Sequence, residues 1–595
     1  MLGSTVPEVA PRETPVADPA NSAARRPGRG RRTWVEPLIA ATIALAVAAP
    51  LVTWGPPGVD AAAHLYQLHA ARTDLWDNFW YSGSYGYATY SLAWVPLASA
   101  VGVVGLELAS VVVAAGAFAW VVSRLWGAPA RWAARSFALL WAAVVFSGDY
   151  PFLLGAALAL CALAALTAWW PTDRPARQAA RSGRAAGSGR AARPRRAARA
   201  LKATCFGLLA LGSLAASPLA FLALALVVAI AALARGRRWP TVGVPLAIVV
   251  VLGLAEVGLA RAFPGDGTYP FWVADLAWIV GFCALGIAMT WRVPRARPLR
   301  LAFVAYGLVS IVMFLVPNPV GAMMARLRYA AIPLMILVAG LRNWRPRRAC
   351  LAAVVGAASW SIPPIATFFA GAKTSVASKA SYWAPAVAYL HAHLSPSYRV
   401  EALDTAGHWP AYYLAGAGLP LVRGWFRSDD FPTNDILYAP GPLTAYSYVA
   451  WLRGLGVAYV VSSDAPPDFS SAPEKALLAS GHSGLAVAMR AAHVTVYAVR
   501  SPTPMVTGPA LASVVSLGRT SLTVRVGAPG AYRVVVHWSP YWHASAGCVT
   551  RAPGGMTTLV AGRPGVSRIS FDVDPSRVLG AIFHNPAPAC PAAGG

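Results

Sequence analysis

Between residues 35 and 370 the chain repeats one pattern: an apolar run of near membrane-spanning length followed by a short cluster of arginines. A hydrocarbon core about 30 Å thick needs roughly 20 consecutive apolar residues in a helix. Backbone amides inside that core must be paired within the segment, which restricts each run to a helix. The pattern predicts a polytopic α-helical membrane protein. Composition agrees, with 57% of the 595 residues hydrophobic and only 12% charged. A formal charge of +27 raises the question of nucleic acid. Most of that charge lies in clusters between apolar runs, as the positive-inside rule expects, so no nucleic-acid partner is expected.

The basic clusters also orient the chain. Residues 1–33, rich in Pro, Ala and Arg, carry no apolar periodicity and are expected to be a disordered cytoplasmic terminus. Five arginines (Arg25, Arg26, Arg29, Arg31, Arg32) precede the run 35–54, which lacks the short core and cleavage site of a signal peptide. It reads as a retained helix that places loop 55–88 outside. Arg124, Arg131 and Arg135 follow 89–125 and call for a single net crossing there. A short helix at 89–104 on the outer surface and a span at 106–124 satisfy that. Passes at 132–147 and 151–170 lead to loop 171–202, where ten cations face the single acid Asp173. Such a loop belongs beside anionic headgroups on the cytoplasmic side. The stretch 203–234, broken at Ser217-Pro218, reads as a hairpin of two short helices. Passes at 241–261, 272–290, 300–316, 329–342 and 349–370 bring the total to about 11 transmembrane helices. Residues 371–595 then lie outside the plasma membrane.

That tail has another character. From 371 to 504, helix-like stretches at 383–394, 444–456 and 472–490 alternate with strands at 398–403, 457–462 and 493–499, which predicts an α/β domain. From 505 to 595, SLTVRV, YRVVVHW, TTLVAG and SRISFDV between Gly/Pro turns predict a β-sandwich. Cys548 and Cys590 are the tail's only cysteines, and in an oxidising compartment two thiols most simply form one disulfide. No C-x-x-C or His-rich motif marks a structural zinc site. No cofactor is expected, and a divalent ion would find no dedicated ligand motif.

Chemistry-bearing residues of the membrane part gather in the first outer loop. Asp60 and His64 stand one helical turn apart just past the first span, followed by Trp76, Trp80 and Tyr85. The segment VDAAAHLYQ (59–67), then YATYSLAWVPLA (87–98), then many passes and an outer tail resembles the C-type glycosyltransferase superfamily. Enzymes of that kind use sugars carried on polyprenyl phosphates and place a catalytic acid in the first outer loop, ahead of an interfacial helix. Many have two adjacent acids, whereas here Asp60 is followed by Ala61. The tail stretches RGWFRSDD (423–430) and YSYVAWLRGLGVAYVV (446–461) look like those of large actinobacterial membrane proteins often grouped with the superfamily. The resemblance implies a polyprenyl-phosphate-sugar donor, membrane lipids as surroundings and an extracytoplasmic glycan, lipid or protein acceptor.

Each residue carries a second reading. Transfer from a lipid phosphate needs a base for the acceptor hydroxyl and cations for the leaving phosphate. Asp60 is the candidate base, yet Asp is also a good N-cap for a helix starting at Ala61. His64 would hold the acceptor or join a metal site, or simply be a surface or packing histidine. Asp149 in FSGDYPF is a second outer acid that would approach Asp60, or begin a helix. Arg326 and Arg328 fall on the outer side against the charge trend, where they would clamp a phosphate, or pair with lipid headgroups or with a tail acid. Trp76, Trp80 and Tyr85 would stack on sugar rings or anchor the interface. A polytopic transporter and a non-catalytic scaffold of envelope polysaccharide assembly are the alternatives to a transferase.

Overall fold

The computed structural model of the chain describes residues 34–70, 77–81, 91–169, 192–235, 243–263, 267–583 and 590. The expected disordered terminus 1–33 and residues 170–191 of the basic loop lie outside these. Among the described residues, eight helices are long and apolar enough to cross a membrane: Val35–Trp54, Val103–Trp126, Tyr150–Thr167, Gly243–Ala262, Val273–Thr290, Pro294–Leu315, Gly321–Leu341 and Arg347–Lys373. Two further apolar helices, Ala200–Ala216 and Pro218–Ala234, are shorter. The chain is thus a multi-pass α-helical membrane protein.

Small residues set the helix packing. Ala40, Ala44 and Ala48 recur every fourth residue of Val35–Trp54 and are fully buried. That spacing puts them on one face, and in lipid it is close backbone approach that holds helices together. Helix ends then sort into two faces. On one, Leu92 and Ala93 N–H donate to Ala215 O at 2.7 and 2.8 Å, Asp60 N–H donates to Ser147 O at 3.0 Å and Thr268 N–H to Ser428 O at 3.0 Å. On the opposite face, Trp126 Nε1 donates to Arg295 O at 3.0 Å and Arg342 Nη1 to Met289 O at 2.9 Å. Arg135 forks onto Glu36 there at 3.0 and 3.2 Å. The short helix Trp94–Val101 lies on the first face and turns at Gly102, φ 82°, into Val103–Trp126. The apolar hairpin turns at Ser217 on that face too. A Cβ on Gly155 would sit only 2.7 Å from that of Ser217, so glycine permits the crossing.

The tail packs onto the first face. Strands β1 (Arg399–Ala402), β2 (Val457–Ser463), β3 (Ala486–Arg490) and β4 (Val494–Ala498) form one sheet in the order β1-β2-β4-β3. Only β1 and β2 pair in parallel. The helix expected over 472–490 stops at Ala479, because Gly481 and Gly484 take φ of 74° and 76° and AVAMR beyond them alternates into β3. Helices Trp409–Gly416 and Arg427–Thr433 arise where the sequence announced none. Beyond them β5 (Val506–Thr507), β6 (Ala512–Leu517), β7 (Ser521–Val526), β8 (Gly530–His537), β9 (Trp542–Ala544), β10 (Cys548–Arg551), β11 (Met556–Ala561) and β12 (Gly565–Phe571) make two four-stranded sheets. Their orders are β10-β11-β8-β5 and β6-β7-β12-β9. Val524 and Ile569 of one sheet share a core with Val534 and Leu559 of the other, which is the sandwich the alternation predicts. Cys548 is joined to Cys590 with Cα atoms 5.7 Å apart.

Candidate active site

Two glycines bring Asp60 and Asp149 together. Gly58 and Gly148 lie where the loop after the first membrane helix crosses the turn after Val144–Ser147. A Cβ on Gly58 would stand 2.4 Å from Gly148 N, and one on Gly148 would stand 2.6 Å from Ala61 N and 2.8 Å from Asp60 N. Gly148 also needs φ 72°, a left-handed conformation that side chains rarely adopt. With both Cβ atoms absent, Val59 N–H and Asp60 N–H donate to Phe146 O and Ser147 O at 3.1 and 3.0 Å. Asp60 and Asp149 are thereby brought close enough for the charge of one to act on the other.

Arg326 reaches Asp149 from a 3-10 helix, Gly321–Leu327, its Nη2 lying 2.6 Å from Oδ1. Burial pushes the Asp149 carboxyl up to about 7, against the pull of Arg326; Asp60 adds to the rise and Arg328 opposes it. Arg328, two residues from Arg326, has an Nε with no hydrogen-bond partner among the described residues. Tyr269 completes the wall. Its phenol is raised to about 12 by burial and then by the Asp60 charge.

The tail closes the site from the other side. Arg423 is buried among Glu401, Asp430 and Glu474, with Glu401 at 2.8 Å and Asp430 at 3.2 Å. Arg427 pairs with Asp404 and, at 3.0 Å, with Asp468. Buried charges persist only when paired, so these two arginines pin the segment between them. Trp425 on that segment donates Nε1 to Asp60 Oδ1 at 3.0 Å. His408 Nε2 lies 3.5 Å from the same oxygen. The Asp60 carboxylate therefore faces the tail.

Other residues singled out by sequence serve the joint between loop and tail. His64 is fully buried, with Nδ1 3.0 Å from Gln67 Oε1 and its ring 5.2 to 5.7 Å from those of Trp425, Trp94 and Tyr150. Burial lowers its imidazole to about 4, so it is neutral near pH 7. Trp80 stacks on Tyr66 at 4.4 Å and donates to Ala411 O at 3.1 Å, which sets it in the core. A Cβ on Gly424 would strike its ring at 2.4 Å. Trp76 and Tyr85 lie outside the described residues. His408, Trp425 and Tyr269 were not reached from the sequence. RGWFRSDD stood out there only as a mark of lineage, and the turn TAGHWP before a helix was the one available sign of His408.

Fold and site together define a multi-pass membrane protein with a carboxylate–arginine centre under a docked tail. No family model and no curated protein sequence matches the chain. Among solved structures it is similar to ArnT from Cupriavidus metallidurans bound to undecaprenyl phosphate, at 14% identity and TM-score 0.38 over 80% of this chain and 99% of that one. It is also similar to the arabinofuranosyltransferase AftD from Mycobacteria, at 14% identity and TM-score 0.42 over 91% of this chain and 59% of that one. At this identity neither carries a residue's role across.

Proposed function

We propose that the chain is a membrane glycosyltransferase, moving a sugar from a polyprenyl-phosphate donor to an extracytoplasmic glycan, lipid or protein acceptor. The observation that supports it is the set Asp60, Asp149 and Arg326 converging on one face, with Arg328 beside it. An ionised Asp60 takes the proton of the acceptor hydroxyl as that oxygen bonds to the anomeric carbon. The bond from that carbon to the phosphate oxygen breaks, its electron pair leaving with the polyprenyl phosphate. The anomeric centre inverts. Arg326 and Arg328 hold the charge that grows on the departing phosphate. In this reading the face carrying the tail is extracytoplasmic, as the basic clusters on the opposite loops require.

Asp60→Asn tests it, since Asn keeps the shape and removes the base. Expression and melting temperature should stay near wild type while glycan or glycolipid output in a deletion strain falls by roughly 10²–10⁴-fold. Full output from Asp60→Asn would overturn the catalytic reading.

A further inference from the structure

Asp60 has a neighbour from far along the chain whose ring is held on both sides by acid. His408 begins the helix Trp409–Gly416 in a left-handed conformation, φ 57° and ψ 22°, which a residue with a Cβ adopts only under constraint. The constraint is visible. His408 N–H donates to Thr405 O at 2.9 Å, and Ala406 N–H donates to Pro466 O at 3.0 Å. The imidazole is thereby aimed at two carboxylates, with Nδ1 2.5 Å from Asp404 Oδ2 and Nε2 3.5 Å from Asp60 Oδ1. Asp404 is itself fixed by Arg427 and by the Thr405 N–H at 2.9 Å.

We propose that the tail supplies half of the site: His408, held by Asp404, is a positioning residue that fixes the Asp60 carboxylate and balances its charge. This rests on the reading of Asp60 as the base. With Asp404 hydrogen-bonded to Nδ1 and the Asp60 carboxylate 3.5 Å from Nε2, the doubly protonated ring is favoured. The groups facing it are Asp60 from the first outer loop, Asp404 at the end of β1, and Asp468 and Arg427 from the tail segments around it. Burial works to lower His408, but Asp404, its hydrogen bond and Asp468 outweigh that and Arg427, so the ring stays above its ordinary value. The cation has a purpose at this place. It stands 3.5 Å from the Asp60 carboxylate, on a tail segment, where it offsets the negative charge that the nearby Asp149 would otherwise meet.

A hydrophobic carbodiimide, which modifies protonated carboxyls, reads this on the full chain in lipid nanodiscs without any sugar substrate. Labelling of the Asp60 peptide is followed by mass spectrometry from pH 4 to 9. In His408→Gln the labelling midpoint of Asp60 should move up by about one pH unit, about a tenfold change in proton affinity. Asp404→Asn, which keeps the ring and weakens its charge, should move it the same way by less. It also serves if His408→Gln does not fold. Trp425→Phe, which removes a neutral donor, should leave a smaller shift than His408→Gln. An unmoved midpoint in both the His408 and Asp404 variants overturns the proposal. Higher labelling at every pH with the same midpoint means a loosened loop and overturns it as well. The two readings fail separately: a shifted midpoint alongside full glycan output from Asp60→Asn removes the transferase and keeps the contact. An unmoved midpoint with output lost in Asp60→Asn does the reverse.

Discussion

Asp149 is paired with Arg326 while burial and a second acid press on its carboxyl. In the proposed transferase, the Arg326 charge that would meet a departing phosphate is drawn upon less by a protonated Asp149 than by an ionised one. Its position near pH 7 comes first from burial and then from Asp60, against the pull of Arg326 and Arg328. Folded protein therefore holds this proton up to about 7, whereas the unfolded chain releases it near the ordinary carboxylate value of about 4. Between those values the native state binds the extra proton, so stability must fall as pH rises and level off above about 8. Asn at 149 mimics the protonated form at every pH. The melting temperature of wild type relative to Asp149→Asn should fall across this window by on the order of a few degrees, since one kcal/mol moves Tm by about 2–4 °C in domains of 150–250 residues. Groups remote from Asp149 titrate alike in both proteins and cancel in the difference. A difference flat from pH 4 to 8 would place that proton elsewhere.

At the scale of elements, the crossing of loop 58–61 with turn 144–149 is the joint on which the site depends. Gly148→Ala adds a Cβ 2.6 Å from Ala61 N to a backbone at φ 72°, so the two loops must part. We expect a loss of about 1–3 kcal/mol, with glycan output falling because Asp60 and Asp149 separate. Gly105→Ala, in the helix Val103–Trp126 with nothing within 4 Å of its Cβ, is the silent control. Equal melting temperatures and output for the two variants would remove the joint from the account. These elements were largely legible beforehand. Apolar run length gave the helices, charge bias marked the loops that carry Asp60, Asp149 and Arg326, and Pro218 marked the hairpin. What stayed hidden was what depends on contact at a distance. Trp425 lies 365 residues from the carboxylate it meets, and no local periodicity announces such a partner. Trp80 reads as a sugar-stacking or interfacial aromatic because it stands in an aromatic-rich loop just past the first span, yet Tyr66 and Ala411 enclose it. The misread helix over 472–490 fails for a local reason, since its residues suit either period and Gly481 and Gly484 break it.

Over the whole molecule the tail and the loop after the first membrane helix are one structural body. Asn78 N–H donates to Arg519 O at 2.7 Å, Leu421 N–H to Phe79 O at 3.0 Å, and Tyr81 OH to Gly424 O at 2.9 Å. Tyr541 OH donates to Ala262 O at 2.6 Å and ties the sandwich to the end of Gly243–Ala262. Loop and tail must therefore lie on one side of the membrane, whichever side that is. The choice of side rests on charge: Arg131, Arg135, Arg292, Arg295, Arg297, Arg342, Arg345, Arg347 and Arg348 all fall at the opposite face, where the inside rule puts cations. In a chain whose four membrane-region cysteines are replaced by Ala, a cysteine at Leu511, 90% exposed in the tail, should react with a membrane-impermeant maleimide in intact cells. One at Ala186, in the basic loop outside the described residues, should react only after the membrane is opened. If both react from outside, the basic loop is not cytoplasmic and the charge argument fails while the loop–tail contacts stand. If Leu511 stays silent until lysis, the site faces the cytoplasm, and an extracytoplasmic acceptor can no longer be its substrate.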